Sequence, residues 1–405
     1  MNAADRLVVG AIAFMYATIP LYGTFAVFEA DRPPIPPLLE AGAASAIAVS
    51  MLIAAAICVW GAVRRPAPRR LVAAQIAAGA AIVPAAILGF DPPTGFGLAA
   101  LVLGQGSVAV AVFGYAGLPG ATRAIVLATL GSAGTAIVLA LAMLATRHPA
   151  PIFAYNNGRA IGTFLNPNEF AAYLLVVVAL AAGVALAGPG RGLRRLAAAV
   201  GVLGLVALGL TFSRWGFLAA VAGLAFFAVV QRDRRVWAAL GLAAVAAAAI
   251  SFGPGSGHHN PRDDTSRVVA WTTGLRTFAS FPLTGVGPFA FHRTYEALRP
   301  PEAPDAQAAV AYDPHSLPLA FLSESGLIGF GALLFGWWIY VAEIRRALRT
   351  AGRPQRILAL ALAAGLVALN VHVLVNTISI YFPLATQGAA LVLAFAQRGI
   401  DAPSA

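Results

Sequence analysis

The feature that most constrains this chain is the repetition of apolar runs long enough to cross a bilayer. Twelve are legible, at 7–29, 38–63, 71–90, 97–118, 124–146, 169–187, 196–212, 215–230, 237–252, 316–342, 357–378 and 381–397. With 60% hydrophobic and only 11% charged residues, the chain has too little polar surface to cover a soluble globule. The expected fold is therefore an all-α polytopic membrane protein of about twelve transmembrane helices, a single transmembrane domain over residues 1–405. The first run is longer than a signal-peptide core and no convincing small-residue cleavage site follows, so it reads as a retained span. The one cysteine, Cys58, sits in the middle of a run, where it packs as a small hydrophobe; no disulfide within the chain is possible.

The charge pattern orients the spans. All 27 basic residues are arginine, and without lysine no lysine nucleophile or base is available. A net charge of +11 on a soluble protein would suggest nucleic acid. Here the arginines lie between apolar runs, so no nucleic-acid partner is expected and topology accounts for them. If successive runs cross in alternation, eighteen arginines fall on one side, in clusters such as Arg64–Arg65, Arg191–Arg195 and Arg345–Arg356. By the positive-inside preference that side is cytoplasmic, and both termini lie there. Nine arginines face the other way, among them Arg159, Arg214, Arg267 and Arg276, and each of these needs a reason.

The polar stretch 253–315, between the ninth and tenth runs, is the one long connection in the chain. Loops of that length are usually functional. Within it, Asp264 to Phe278 reads as a helix capped by Asp264 or Thr265. Val268, Trp271, Leu275 and Phe278 share one apolar stripe of that helix, which can lie on the membrane or on the bundle. Arg267 borders the stripe; Arg276 points away from it and is expected to be solvated or to touch lipid phosphates. Phe281-Pro-Leu-Thr-Gly285-Val-Gly287-Pro then breaks the helix, a short amphipathic piece over 289–298 follows, and Asp313-Pro314-His315 returns the chain to the tenth span.

Several side chains have the right chemistry at this outer face. His315, at the mouth of the tenth span, can accept a proton from a sugar hydroxyl; the competing reading is an interfacial histidine that caps a helix. Arg214 occupies the tight turn Phe212-Ser-Arg-Trp-Gly216, where its guanidinium fork suits a lipid phosphate or, alternatively, serves as an interfacial anchor beside Trp215. Arg159 precedes the amide-rich turn Asn166-Pro-Asn168-Glu169 and is a secondary phosphate candidate, with Asn166 as the cap of the sixth span. Inside the spans, Glu324 is expected to bond within the bundle near Gly326 and Gly329. Asn370, His372 and Asn376 either line a polar cavity or hydrogen-bond to neighbouring helices.

Other chemistries leave no mark. The sequence contains no P-loop, no His-Glu-x-x-His and no serine-nucleophile elbow. His258 and His259 are adjacent and diverge, and Asp263-Asp264 reads as a helix cap rather than a Mg²⁺ site, so no metal and no cofactor are expected.

Phe212-Ser-Arg-Trp-Gly-Phe-Leu, Ser266-Arg-x-x-x-Trp271 leading to Phe281-Pro-Leu-Thr-Gly-Val-Gly287, and His315-Ser followed by Glu324-x-Gly326-x-x-Gly329 together resemble the O-antigen ligase and O-antigen polymerase superfamily. Gly162-Thr-Phe-Leu-Asn-Pro-Asn168 is similar to a further turn of that group. Where the family commonly has asparagine after the histidine, this chain has Ser316.

The resemblance implies a membrane-embedded, metal-independent, inverting glycosyltransferase of the bacterial inner membrane, with its active site facing the periplasm. It would move a glycan from undecaprenyl diphosphate to a sugar of the lipid A core, in lipopolysaccharide maturation. His315 would be the general base, and Arg214 and Arg267 would hold the donor diphosphate with Arg159 in support; Glu324, Asn168 and Trp271 complete the set. The alternatives are a polysaccharide polymerase, a protein O-oligosaccharyltransferase and, in a different class, a transporter or lipid flippase. Transporters place their ionisable groups near the midplane, whereas these cluster at one face.

Overall fold

A computed structural model describes residues 1–21, 41–65, 67–148, 156–164, 166–232, 261–301 and 313–400, with the isolated positions 241, 245 and 249; of Ala41 to Ser45 and Pro261 to Asp264 only the backbone is described. In chain order the α-helices are α1 (Ala3–Thr18), α2 (Ala41–Arg64), α3 (Arg69–Leu88), α4 (Pro92–Tyr115), α5 (Ala121–Thr146), α6 (Pro167–Ala187), α7 (Arg191–Leu210), α8 (Arg214–Gln231), α9 (Pro261–Ser280), α10 (Phe291–Leu298), α11 (Leu317–Thr350), α12 (Arg353–His372) and α13 (Gly388–Arg398). Among the described residues there is no strand, and ten helices are long and apolar enough to span a membrane. The chain is an all-α polytopic membrane protein. The ninth expected span, 237–252, lies outside the described residues. The twelfth is helical over 381–398, with a π-helical stretch at Pro383–Gln387 before α13.

Close approach through small residues holds the bundle, as expected where lipid offers hydrophobic side chains no less apolar surface than protein does. Helix α12 lies against α6 and α8. A Cβ on Gly365 would come within 3.0 Å of the Leu175 carbonyl oxygen, and one on Gly223 within 2.6 Å of the Ala364 carbonyl oxygen. Caps define where helices begin. Asn166 accepts from the amides of Asn168 and Glu169, with Pro167 opening α6; Asp91 accepts from the Thr94 amide, with Pro92 opening α4.

One end of the bundle gathers the arginine-rich boundaries: the α2–α3 and α6–α7 turns, the start of α12 and the end of α13. Asp5 joins α1 to it through a 3.1 Å ion pair with Arg65. The opposite end is tied together differently, by bonds between segments far apart in sequence. Thr163 Oγ1 donates to the Pro20 carbonyl, the Ala160 amide to Leu210 (2.9 Å) and the Phe90 amide to Val286 (2.9 Å).

Helix α11 is broken at Gly326 (φ 60, ψ −162), and the Phe281-to-Gly287 motif is stitched into the break. The amides of Val286 and Gly287 donate to the carbonyls of Ser323 and Glu324 (3.0 Å each), and those of Leu327 and Ile328 donate to Pro282 and Leu283 (2.9 and 3.2 Å). The loop thus takes over carbonyls and amides that the broken helix leaves open. A Cβ on Gly285 would lie 2.3 Å from the Glu324 carbonyl carbon, so only glycine fits this crossing.

Candidate active site

Three side-chain clusters occupy the end opposite the arginine-rich boundaries. The first surrounds the α7–α8 turn. Phe212 takes a left-handed conformation (φ 47), which turns the chain sharply enough for Ser213 to cap α8 (Gly216 amide to Ser213 Oγ, 3.2 Å) and for Arg214 to become its first helical residue. Ser213 Oγ donates to Asn168 Oδ1 (2.8 Å), which also accepts from Arg159 Nη2 (3.4 Å); Arg159 Nε donates to the Thr211 carbonyl (2.6 Å). The amide of Asn168 and the guanidinium of Arg159 therefore brace the turn that presents the half-buried Arg214. Asn166 is the helix cap, as its position suggested, which leaves Asn168 for this bracing.

The second cluster is built on α9. Its helix begins at Pro261, upstream of the expected caps at Asp264 and Thr265. The apolar stripe, which could lie on the membrane or on the bundle, is divided between the two. Val269, Ala270, Thr273 and Thr277 are buried, while Val268 and Leu275 of the apolar stripe are 55% and 54% exposed. The hydroxyl and small side chains face the bundle together with Val269; Val268 and Leu275 turn away from it, and Trp271 and Phe278 are half-buried between. Arg267 lies between the two faces and directs Nη2 to Asn376 Oδ1 at 3.5 Å. Arg276 is exposed and bonds to the carbonyls of Leu298 and Arg299 (3.3 and 3.2 Å), closing the C-terminus of α10 rather than facing solvent or lipid alone.

The third is the turn Asp313-Pro314-His315. Asp313 Oδ1 accepts the His315 amide at 2.6 Å, an Asx turn, and His315 takes φ 48. A non-glycine residue in that conformation costs free energy and persists where the surroundings enforce it. The same carboxylate oxygen lies 3.5 Å from His315 Nδ1, and the histidine side chain is 40% exposed. Sequence reading missed Asp313 as a partner, although the Asp-x-His spacing carried the signal.

These clusters share a common strut at 373–380. The expected eleventh span ran to residue 378; instead α12 ends at His372 and the segment beyond it is non-helical. The Leu317 amide at the start of α11 donates to the Val373 carbonyl (2.9 Å). Ser379 donates through its hydroxyl and amide to Glu169 at the start of α6 (2.8 and 3.2 Å), and Asn376 bonds back to the His372 carbonyl (3.2 Å). Across the site, the Trp271 indole, one turn beyond Arg267 on α9, reaches the His315 carbonyl at 3.4 Å.

Glu324 Oε1 accepts the Phe291 amide at 3.4 Å and so holds the start of α10, in keeping with a role inside the frame. Asn370 bonds its own helix at Leu366 and receives the Tyr381 hydroxyl (3.0 Å). His258 and His259, and the side chains of Asp263 and Asp264, lie outside the described residues. Among the described residues no group of three or more His, Cys, Asp or Glu could hold a metal ion.

No curated protein matches the chain. A family model described as O-Antigen ligase matches residues 199–334, about a third of the chain; the stretch contains Arg214, Arg267, Trp271, His315 and Glu324. That match supports a place for the chain in the O-antigen ligase superfamily.

Proposed function

We propose that the protein transfers a glycan from undecaprenyl diphosphate to a sugar hydroxyl of the lipid A core, with inversion at the anomeric carbon. The observation that favours the reading is the junction of α9 with the histidine turn: Trp271, one helical turn from Arg267, bonds the His315 carbonyl, so the helix that carries Arg267, read as the phosphate-binding guanidinium, abuts the turn that carries His315, read as the general base.

In this mechanism the acceptor oxygen attacks the anomeric carbon while its proton passes to His315 Nε2. Asp313 beside Nδ1 favours the tautomer that leaves Nε2 as acceptor. The bond from the anomeric carbon to the diphosphate oxygen breaks, and its electron pair leaves with the diphosphate. Arg214 and Arg267, with Arg159 behind the α7–α8 turn, stabilise that developing charge, the part a divalent cation takes elsewhere, so the reaction is expected to run without metal. The arginine asymmetry assigns this end to the periplasm and both termini to the cytoplasm.

The test is transfer by purified protein in lipid, with lipid-linked donor and a defined lipid A core acceptor. A conjugate of glycan and core is expected. A lengthened lipid-linked chain would make the protein a polymerase, and donor translocation across sealed vesicles with no glycosidic product would replace the enzyme with a flippase.

A further inference from the structure

The segment 372–377 behind the site holds polar atoms that the rest of the molecule leaves unused. His372, the last residue of α12, is 0% exposed, and among the described residues neither its Nδ1 nor its Nε2 has a hydrogen-bond partner. Thr377 Oγ1, in the same segment, is likewise sealed from solvent and unpartnered among the described residues. A buried polar group left without a bond costs free energy, so each such group needs a reason.

His372 is also fixed in place. Helix α12 ends on it, the Val373 amide closing on the Leu369 carbonyl (3.0 Å), and the Val373 carbonyl takes the Leu317 amide at the start of α11 (2.9 Å). The His372 carbonyl accepts Asn376 Nδ2 (3.2 Å), and Asn376 Oδ1 is the group on which Arg267 rests. The charge of Arg267 bears on the imidazole. That rest is loose, because 3.5 Å is longer than a well-formed N–H···O bond. The chemistry of the two neighbours is also informative. Asn376 offers an amide oxygen, and a ring shut away from water stays neutral and offers one lone pair. A neutral acceptor orients a guanidinium without cancelling its charge, whereas a carboxylate in the same place would neutralise the charge that a diphosphate needs.

We propose that His372 is a positioning residue for Arg267: when a diphosphate draws the guanidinium onto itself, a ring nitrogen of His372 accepts one of the guanidinium N–H groups, and Arg267 meets the leaving group oriented and fully charged. The long bond of the empty site tightens and the ring gains its partner in the same step. The assignment rests on the glycosyltransferase reading. It adds to it a residue that acts through Arg267 and touches no substrate.

The test is a double-mutant cycle for transfer by the full-length protein in nanodiscs. His372→Leu removes polar atoms that have no partner among the described residues, so it is expected to fold. It should lower kcat about tenfold in the wild-type background and less than about twofold in Arg267→Ala, since only Arg267 carries its effect. A merely structural histidine would lower both backgrounds alike. Wild-type turnover in His372→Leu, or an undiminished loss in the Arg267→Ala background, overturns the proposal. A second arm reads the ring itself, by nitrogen NMR of protein with isotope-labelled histidine, the His372 signal being the one missing from His372→Gln. That signal is expected to shift when a polyprenyl diphosphate without glycan is added, and to stay in place with the polyprenyl alcohol or in Arg267→Ala. A signal unmoved by the diphosphate, or moved equally by the alcohol or in Arg267→Ala, also overturns the proposal. Should the wild-type protein transfer no glycan at all, the glycosyltransferase reading fails, and the NMR arm still decides whether His372 and Arg267 meet around a diphosphate.

Discussion

The two ends of the bundle both carry arginines and use them in opposite ways. At the cytoplasm-assigned end Arg69, Arg191, Arg194, Arg195, Arg349 and Arg353 are exposed on helix ends. Their number sets topology, and the position of any one matters little. At the site end Arg159, Arg214 and Arg267 are half-buried and set in defined surroundings: Arg159 on the Thr211 carbonyl and Asn168, Arg214 at a capped helix start, Arg267 on Asn376. A guanidinium held in place needs little reorganisation when an anion arrives, which is the condition for stabilising a leaving group. The contrast separates arginines that act by count from arginines that act by geometry.

The comparison can be broken most sharply at His315. His315→Ala should lower transfer by about 10³-fold while donor binding persists, because a general base contributes 10²–10⁴-fold and is not a binding group; near wild-type turnover would remove the histidine from the chemistry. Next come Arg214→Ala and Arg267→Ala, each expected to cost about 10²-fold in kcat, with lysine a poor substitute for the planar fork. Asn376→Ala touches no substrate and loosens only the aim of Arg267, so about a tenfold loss is expected. Arg276→Ala should leave turnover within about threefold and cost at most about 1 kcal/mol of stability, since its bonds to the end of α10 are exposed. At the other end, an Arg194→Gln, Arg195→Gln double variant should insert normally and keep transfer within about twofold, because eighteen arginines share the topological bias. A loss at that end as large as that of Arg267→Ala would dissolve the distinction.

The course of α9 shows how far a sequence reading reaches. The helix and both of its arginines were legible, but the face was not. Sequence logic puts Val268, Trp271, Leu275 and Phe278 on one stripe that can lie on the membrane or on the bundle, and the structure splits it: Val268 and Leu275 are exposed, Trp271 and Phe278 half-buried. Beside a membrane, large apolar side chains can turn outward, and threonine, alanine and glycine approach the protein. The hydrophobic pattern cannot tell lipid from core.

What the sequence determined by itself is what depends on local composition: the apolar spans, the cap at Asn166, and the histidine and arginines with which any site here must be built. Tertiary structure alone decided which of these groups meet. The unwinding of α12 after His372 brings Asn376 to Arg267 across 109 residues, Ser379 is held by Glu169 across 210, and the break at Gly326 admits the glycine loop. The physical reason is that hydropathy is summed along the chain, whereas a buried polar atom takes whatever partner the fold brings near it.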